Sequence, residues 1–278
     1  MTGNEQQVEF WNGAVGERWV AMQDALDAAM ADIAAKALSF ARAKRGMRAI
    51  DIGCGCGTTT LALCEMAGPE GAVTGVDISK PMLAHARARA VGARSRAKFA
   101  EADASDYAFK PENDLVFSRF GVMFFADPPS AFANIRKALK PGGRLAFVCW
   151  RGAPENEWAS VPFMAARDLL PEQAPPDPTA PGPFAFADPA RVKNILQQAG
   201  FRNIRIEKLD SAMRMGANVD AAVEMSLRAG PLARALGEID DDALKDKIRA
   251  RVKDAIAKYQ TDHGVSAPAA CWLVEAQV

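Results

Sequence analysis

Residues 49–60 read AIDIGCGCGTTT: an apolar run holding one carboxylate, Asp51, then three glycines alternating with two cysteines, then three threonines. The apolar run is too short for a helix and is bounded by glycine, so it reads as a buried strand. The loop after it has almost no side chains. A ligand can therefore lie directly on its backbone, and its N–H groups join those of the first turn of the helix that follows. Whether such a loop serves catalysis or only a tight turn depends on what surrounds it.

Outward from the loop, strand and helix alternate. The segment 47–53 is a strand, 58–68 a helix closed by Gly68 and Pro69, and 71–79 a second strand. A helix follows over 79–92, with Ser79 as its N-cap, Pro81 in the first turn and Gly92 as its stop. Strands over 97–105 and 113–125, a helix over 129–143 with a Pro-Gly-Gly stop, and a strand over 143–150 complete the series. This rhythm predicts an α/β fold, a doubly wound and mostly parallel sheet with helices on both faces. Such sheets bind ligands beyond the carboxyl ends of their strands, where strand order reverses.

The flanks differ. Over 5–44, Val8, Trp11, Val15, Trp19, Met22, Leu26 and Ile33 recur at helical spacing, with Gly13 and Gly16 weakening the early part. Residues 151–189 hold the proline-rich stretch LLPEQAPPDPTAPGPFAFADP and read as an irregular insertion. A helix at 189–201, a strand at 202–209, mostly helix at 217–260 and a terminal strand at 269–278 bring the sheet to seven strands. The expected organisation is an N-terminal helical segment 1–45, an α/β core 46–150, and a remainder 151–278 carrying cap insertions at about 151–189 and 211–265.

Lys+Arg and Asp+Glu are equal at 34 each, so no basic excess points to nucleic acid. No apolar run approaches the roughly 18 residues of a membrane span, and the polar start MTGNEQQVEF lacks the order of a secretory signal. A cytoplasmic monomer or homodimer is expected. Cys54, Cys56, Cys64, Cys149 and Cys271 are odd in number and irregularly spaced, which predicts reduced thiols; with no second pair beside Cys54-x-Cys56, no metal site is expected.

Two ligand classes use a glycine loop at a first strand-to-helix turn. Dinucleotides favour Gly-x-Gly-x-x-Gly, which would need glycine where Thr58 stands. S-adenosylmethionine has no phosphate but carries amine and hydroxyl donors and a sulfonium. Asp51, Asp77 and Asp103 end three successive strands, and three acids so placed suit that cationic ligand.

The stretches AIDIGCGCGTTT, VTGVDIS (73–79), AEADAS (100–105) and ALKPGGRLAFV (138–148) resemble, in order and spacing, the motifs of class I S-adenosylmethionine-dependent methyltransferases. The likeness is to the small-molecule branch grouped with ubiquinone and menaquinone C-methyltransferases, and FWNGAVGERWV (10–20) and AGFRNIRIE (199–207) extend it. The resemblance implies that Gly53, Gly55 and Gly57, with Cys54 and Cys56 as small loop residues, wrap the cofactor's methionine end, Asp51 standing behind them. It implies Asp77 on the ribose, Ile78 against the adenine face, and Asp103 with the Ala104 backbone at the adenine edge. Ser118, Arg119 and Phe120 would present the methyl group to its acceptor, and Trp11 and Trp19 would belong to a segment closing over the cofactor.

Each residue also has a structural explanation. Asp77 could cap a helix, Asp51 could fix the loop without touching ligand, Asp103 could sit in a solvated turn, and both tryptophans could be core. Arg119 could brace Asp106 or Asp114, and Arg87, Arg89, Arg94 and Arg96 read as solvated helix charges. His85 reads as structural; His263, before the last strand, is a candidate general base, as Arg119 is a candidate catalytic cation. Trp150, Trp158, Phe163, Phe184 and Phe186 are expected to line an apolar acceptor pocket under the cap. The fourth-strand sequence FSRFGVMFF lacks the Asn/Asp-Pro-Pro-Tyr-type motif of nucleic-acid enzymes. A nicotinamide-dependent oxidoreductase and a non-catalytic S-adenosylmethionine-binding protein are the alternatives.

Overall fold

The computed structural model describes residues 3–171, 177–237 and 239–278. Part of the proline-rich stretch, 172–176, lies outside the described residues. The N-terminal helical segment is four short helices: α1 (Gly3–Asn12), α2 (Ala14–Ala21), α3 (Gln23–Ala29) and α4 (Ala31–Ala41). The chain bends at Gly13, Met22 and Met30. Of the face the helical spacing predicts, Met22, Leu26 and Ile33 are buried in the main core together with Ala29, Ala37 and Ala41, Trp11, Val15 and Trp19 are half-buried, and Val8 is exposed.

Then come β1 (Arg48–Ile52), α5 (Thr58–Ala67), β2 (Ala72–Asp77), α6 (Lys80–Gly92), β3 (Lys98–Glu101), β4 (Asn113–Arg119), α7 (Pro128–Arg136) and β5 (Leu139–Trp150). The rest is α8 (Glu157–Ala166), α9 (Pro189–Gln198), β6 (Arg202–Gly216), α10 (Val219–Arg228), α11 (Pro231–Leu236), α12 (Asp242–Ile256), β7 (Gln260–Thr261) and β8 (Gly264–Gln277). Strand order is β3-β2-β1-β4-β5-β8-β6, with the two-residue β7 beside β8. Strands β1 to β5 pair in parallel, and β8 runs antiparallel between β5 and β6. The fold is the doubly wound, mostly parallel α/β sheet, and order reverses between β1 and β4. The carboxyl ends of those two strands therefore flank the crevice where a ligand belongs.

Several elements differ from the sequence expectation: α8 forms inside 151–189, a stretch that reads as irregular, and the two-residue β7 makes the sheet eight-stranded rather than seven-stranded. The helix over 129–143 stops at Arg136, and Pro141-Gly142-Gly143 lies inside the start of β5. The register slips between Asn113↔Leu139 and Leu115↔Arg144, and this bulge absorbs the Pro-Gly-Gly. Strands β6 and β8 are longer than 202–209 and 269–278, because Gly264 and Pro268 hide an inside-outside alternation at Val265, Ala267 and Ala269. Ser79 stands at the N-cap of α6, but its hydroxyl makes no cap bond and donates instead to the Trp11 carbonyl at 2.7 Å.

The extra length of β6 and β8 matters for the site. Pairing of β5 with β8 ends at Trp150↔Cys271, whereas β6 and β8 continue together to Gly216↔Val265. This two-strand extension rises past the carboxyl end of the sheet. A second apolar core forms on it, from Met215, Val223, Leu232, Ile248, Val252, Ile256 and Val265, and holds α8 and α10–α12 as a cap. At the opposite end, Arg42, Arg144 and Arg205 converge on the buried Glu275 of β8 and tie α4 to the last strands.

Candidate active site

Gly53, Gly55 and Gly57 all take left-handed backbone angles, with φ of 65°, 53° and 82°. Only glycine adopts these without strain. Gly53 has a second reason to be bare: a Cβ there would lie 2.6 Å from the Cα of Gly121, just past β4. The exits of β1 and β4 thus meet backbone to backbone. Gly121 is a site residue that the local pattern does not announce, its one signal being a lone glycine directly after a strand in FSRFGVMFF. Phe120, immediately before it, has φ of 63°, an uncommon angle for a bulky side chain, and so marks strain at the strand end.

The three predicted carboxylates stand where the topology puts them. Asp51 is wholly buried, and its Oδ2 accepts from the Thr59 and Thr60 hydroxyls, both at 2.7 Å, while Oδ1 has no partner among the described residues. Burial pushes its pKa up to about 6, with Thr59, Thr60 and the Arg119 charge pulling the other way. Asp77 accepts from the Gly55 N–H at 2.7 Å and the Ser79 N–H at 2.9 Å, so it binds the glycine loop to the next strand as well as facing the crevice. Burial raises its pKa too, against those backbone bonds. Asp103 accepts from the Ser105 N–H at 2.8 Å and from Asn4 of α1.

Two arginines overturn the sequence expectation. Arg89 is no solvated helix charge: it donates to the Cys56 carbonyl at 2.9 Å, the Thr58 hydroxyl at 2.8 Å and Asp27 at 2.9 Å. It therefore clamps the glycine loop from below. Arg119 does not brace Asp106 or Asp114; its Nη2 lies 3.9 Å from Asp27 and its Nη1 has no partner among the described residues. Burial lowers the Arg119 pKa, and the charges of Asp27 and Asp51 oppose that. Asp27 also accepts from the Thr58 hydroxyl, at 2.7 and 2.9 Å. Nothing in the helix pattern of α3 marks this residue, because its partners lie on other elements. Cys54 and Cys56 are buried, and burial raises both thiols, Cys56 to about 12, so neither is a nucleophile at neutral pH.

The N-terminal helices cover this end of the sheet. Asn12 donates to the Ile78 carbonyl at 2.9 Å and accepts from the Lys80 N–H at 2.8 Å. Trp11 packs edge-on against Trp19 and Phe124, with ring centres 5.7 and 5.4 Å apart. Gly16 permits the tight fold of this cover, since a Cβ there would meet the Trp11 carbonyl at 2.1 Å. Ala104, beyond β3, is buried, and Ser118 is buried with its hydroxyl accepting from the Gly121 N–H at 3.2 Å.

At the ends of β4 and β5 the aromatic residues form a column. Phe120 stacks on Trp150 with centres 4.1 Å apart and planes 8° off parallel, and Trp150 meets Trp158 at 4.9 Å. The Trp158 indole donates to Asn156, and Asn156 in turn grips both the N–H and the carbonyl of Ala270, which fixes α8 on the β8 extension. Phe163 and Phe184 are half-buried. Phe186 does not line a pocket: it is fully buried in the main core against Phe132 and Phe147.

His263 is also misplaced by the sequence expectation. It is exposed in the β7–β8 turn and borders a shallow groove of about 590 Å³ with Arg214, Asp262 and Ser266. That turn is eight residues beyond Cys271, the partner of Trp150. Eight residues of strand at about 3.3 Å each place it at the far end of the β6–β8 extension, on an exposed turn and not at the strand ends. His85 is half-buried within α6, as a structural residue would be. Among the described residues, no three His, Cys, Asp or Glu side chains are grouped to hold a metal ion, and no helix is long and apolar enough to cross a membrane.

The crevice fits the nucleoside that the resemblance implies. It offers carboxylates for hydroxyl and amine donors and bare main chain at Gly53–Gly57. It also holds two buried polar atoms without partners among the described residues, Asp51 Oδ1 and Arg119 Nη1.

Comparison with known proteins gives consistent findings. A family model described as a methyltransferase domain matches residues 49–143. Demethylmenaquinone methyltransferase of Thermus thermophilus is 32% identical over 193 residues, which cover 63% of this chain and 82% of that protein. Nocamycin O-methyltransferase of Saccharothrix syringae is 30% identical over 186 residues; the match covers 62% of this chain and 65%, just under two thirds, of that relative. Among solved structures, the YcgJ protein of Bacillus subtilis superposes with a TM-score of 0.58 at 16% identity, over 89% of this chain and 98% of that one, which is a likeness of fold.

Proposed function

The chain belongs to the class I S-adenosylmethionine-dependent methyltransferases, and on that premise we propose that it transfers the cofactor's methyl group to a small, apolar or aromatic acceptor by in-line displacement. The observation that carries the acceptor class is the column Phe120–Trp150–Trp158, which joins the end of β4 to the cap and is built of flat apolar surface. The relatives are named for different acceptors, demethylmenaquinone and nocamycin, so the acceptor is argued from this chain's own cap.

When bound, S-adenosylmethionine supplies a methyl group on a sulfonium, a good and neutral leaving group. The chain's own residues then need to bind, align and exclude water. In this reading Gly53, Gly55 and Gly57, with the Cys54 backbone, hold the methionine end. Asp77 accepts from the ribose hydroxyls with the lone pairs left over from Gly55 and Ser79. Ile78 faces the adenine, Asp103 and the Ala104 backbone read its edge, and Trp11 and Trp19 hold the N-terminal helices over it. Ser118 and Phe120 shape the passage to the acceptor.

Alignment of two reactants can supply roughly 7–11 kcal/mol, and the aromatic walls and helical cover add desolvation. A general base is required only for an acceptor that must lose a proton before it attacks. The proposed division of labour follows the chain: residues 1–45 as cover, 46–150 as cofactor core, and 151–278 as the remaining strands with the acceptor cap. A nicotinamide reaction is not favoured, since Thr58 stands where the dinucleotide pattern needs glycine and the relatives are methyltransferases. The equal numbers of acidic and basic residues support a small acceptor over a nucleic acid.

The test is incubation of the purified protein with methyl-labelled S-adenosylmethionine and a panel of quinols, phenols, thiols and small amines. Label should pass to planar apolar members of the panel. Transfer confined to small charged amines would refute the acceptor class, and no transfer to any acceptor despite cofactor binding would favour the non-catalytic alternative.

A further inference from the structure

Trp158 of α8 is gripped at both ends of its ring and still stays half-buried. Its indole N–H donates to the Asn156 side-chain oxygen at 3.1 Å. That oxygen also accepts from the Ala270 N–H at 2.9 Å, and the Asn156 amide donates to the carbonyls of Arg151, Gly152 and Ala270, so Asn156 has no freedom to turn. At the other end of the ring, Cζ3 faces Gly230, the residue before α11, where an added Cβ would lie 3.2 Å away. The ring meets Trp150, the last residue of β5, at 4.9 Å with the planes 46° apart. Among the described residues, Trp158 is the one partly buried apolar side chain that packs on both cores, that of the sheet and that of the cap.

Packing alone does not call for this much. A bridge between two cores needs apolar area, which any large side chain supplies. It does not need the plane of the ring fixed by a buried amide at one end and a bare glycine at the other; that is how a side chain with a geometric task is supported. Phe120 and Trp150 lie almost parallel and cover each other's faces, whereas the 46° tilt turns Trp158 across the end of that stack. We propose that Trp158 is the specificity-determining residue of the acceptor site, an end wall that sets how far a planar acceptor reaches from the strand ends into the cap. This inference rests on the methyltransferase reading and its planar acceptor class, and adds the residue that measures the acceptor. Asn156 and Gly230 are positioning residues that act through it. Close packing makes such a wall unyielding, and an unyielding wall is what lets an apolar pocket discriminate by size.

The experiment measures methyl transfer to two matched acceptors, catechol and 2,3-dihydroxynaphthalene, which carry the same diol on one ring and on two. The quantity read is the ratio of their kcat/KM values, two-ring over one-ring. Trp158→Leu should raise that ratio about tenfold or more, the range over which an apolar pocket discriminates by size. Trp158→Phe should raise it less, and it serves should the leucine variant not fold. Gly230→Ala leaves Trp158 in place but pushes its ring edge away from α11, and should move the ratio downward. Calorimetry with S-adenosylhomocysteine should change by less than about threefold in the tryptophan variants, because the cofactor crevice is a separate site. A ratio that stays constant in both tryptophan variants while both acceptors slow equally would make Trp158 a structural bridge and overturn the proposal. Loss of S-adenosylhomocysteine binding in step with the loss of transfer would overturn it too. Methylation of neither diol by wild-type protein that binds S-adenosylhomocysteine is a different failure: it counts against the planar acceptor class, and the proposal falls with that class.

Discussion

Replacing Gly53 by alanine tests the geometry on which the crevice depends. Two costs add at this position. An L-residue at φ of 65° is strained by roughly 1–2 kcal/mol. The new methyl would also sit 2.6 Å from the Gly121 Cα, a backbone atom that cannot rotate away, and overpacking of this kind adds about 1–3 kcal/mol. Gly142→Ala is the control, because Gly142 has φ of 78° but nothing within 4 Å of its added Cβ. It suffers the strain alone. Gly53→Ala should therefore lose about 2–5 kcal/mol and Gly142→Ala about 1–2. At about 2.1 cal/mol/K of unfolding entropy per residue, a chain of 278 residues then falls in Tm by roughly 3–9 °C against roughly 2–3 °C. Thermal unfolding measures both, and calorimetry with S-adenosylhomocysteine should show weakened binding only for Gly53→Ala. Equal melting losses with unchanged binding would mean that the contact between the β1 and β4 exits is not needed.

Asp77→Ala should weaken cofactor binding and also destabilise the fold by about 2–5 kcal/mol, since it strips the acceptor from two backbone N–H groups; Asp77→Asn, which keeps one acceptor oxygen, should lose less stability and still bind weakly, as unfolding and titration will show. Arg89→Met should cost about 2 kcal/mol and loosen the glycine loop, because three donated bonds vanish at once, and proteolysis near residues 53–58 should quicken. Burial raises the Glu275 pKa, but Arg144 and Arg42 outweigh that and hold it below the usual glutamate value. Its stabilisation is thus complete above about pH 4.3 and lost as pH falls through the lower folded-state value. Glu275→Gln should cost about 1–2 kcal/mol at neutral pH, a figure reduced because Arg42 and Arg205 are half exposed. The gap to wild type should close in unfolding curves taken at progressively lower pH.

What the sequence made legible was local. The glycine loop, the strand ends at Asp51 and Asp77 and the order of strands and helices through residue 150 each depend on a few neighbouring residues and stand as read, although the helix over 129–143 ends early, at Arg136. What stayed hidden depends on residues far apart in the chain. Arg89 looks like a solvated helix charge until α6 is laid beside residues more than thirty positions away, and Asp27 has no reason to be polar until Arg89 and Thr58 reach it. Gly121 is one glycine among 21, given meaning only by Gly53 on another strand. Ser79 satisfied the pattern of a cap while its hydroxyl served Trp11. The β6–β8 extension was masked by Gly264 and Pro268, residues that usually end strands, and with it the height of the cap and the remoteness of His263.

Titration of S-adenosylhomocysteine into the purified wild-type protein, with NAD as the parallel ligand, bears most directly on the crevice. Saturable heat at one site per chain from the first, and none from the second, is the predicted result. Saturation by NAD with no response to S-adenosylhomocysteine would contradict it.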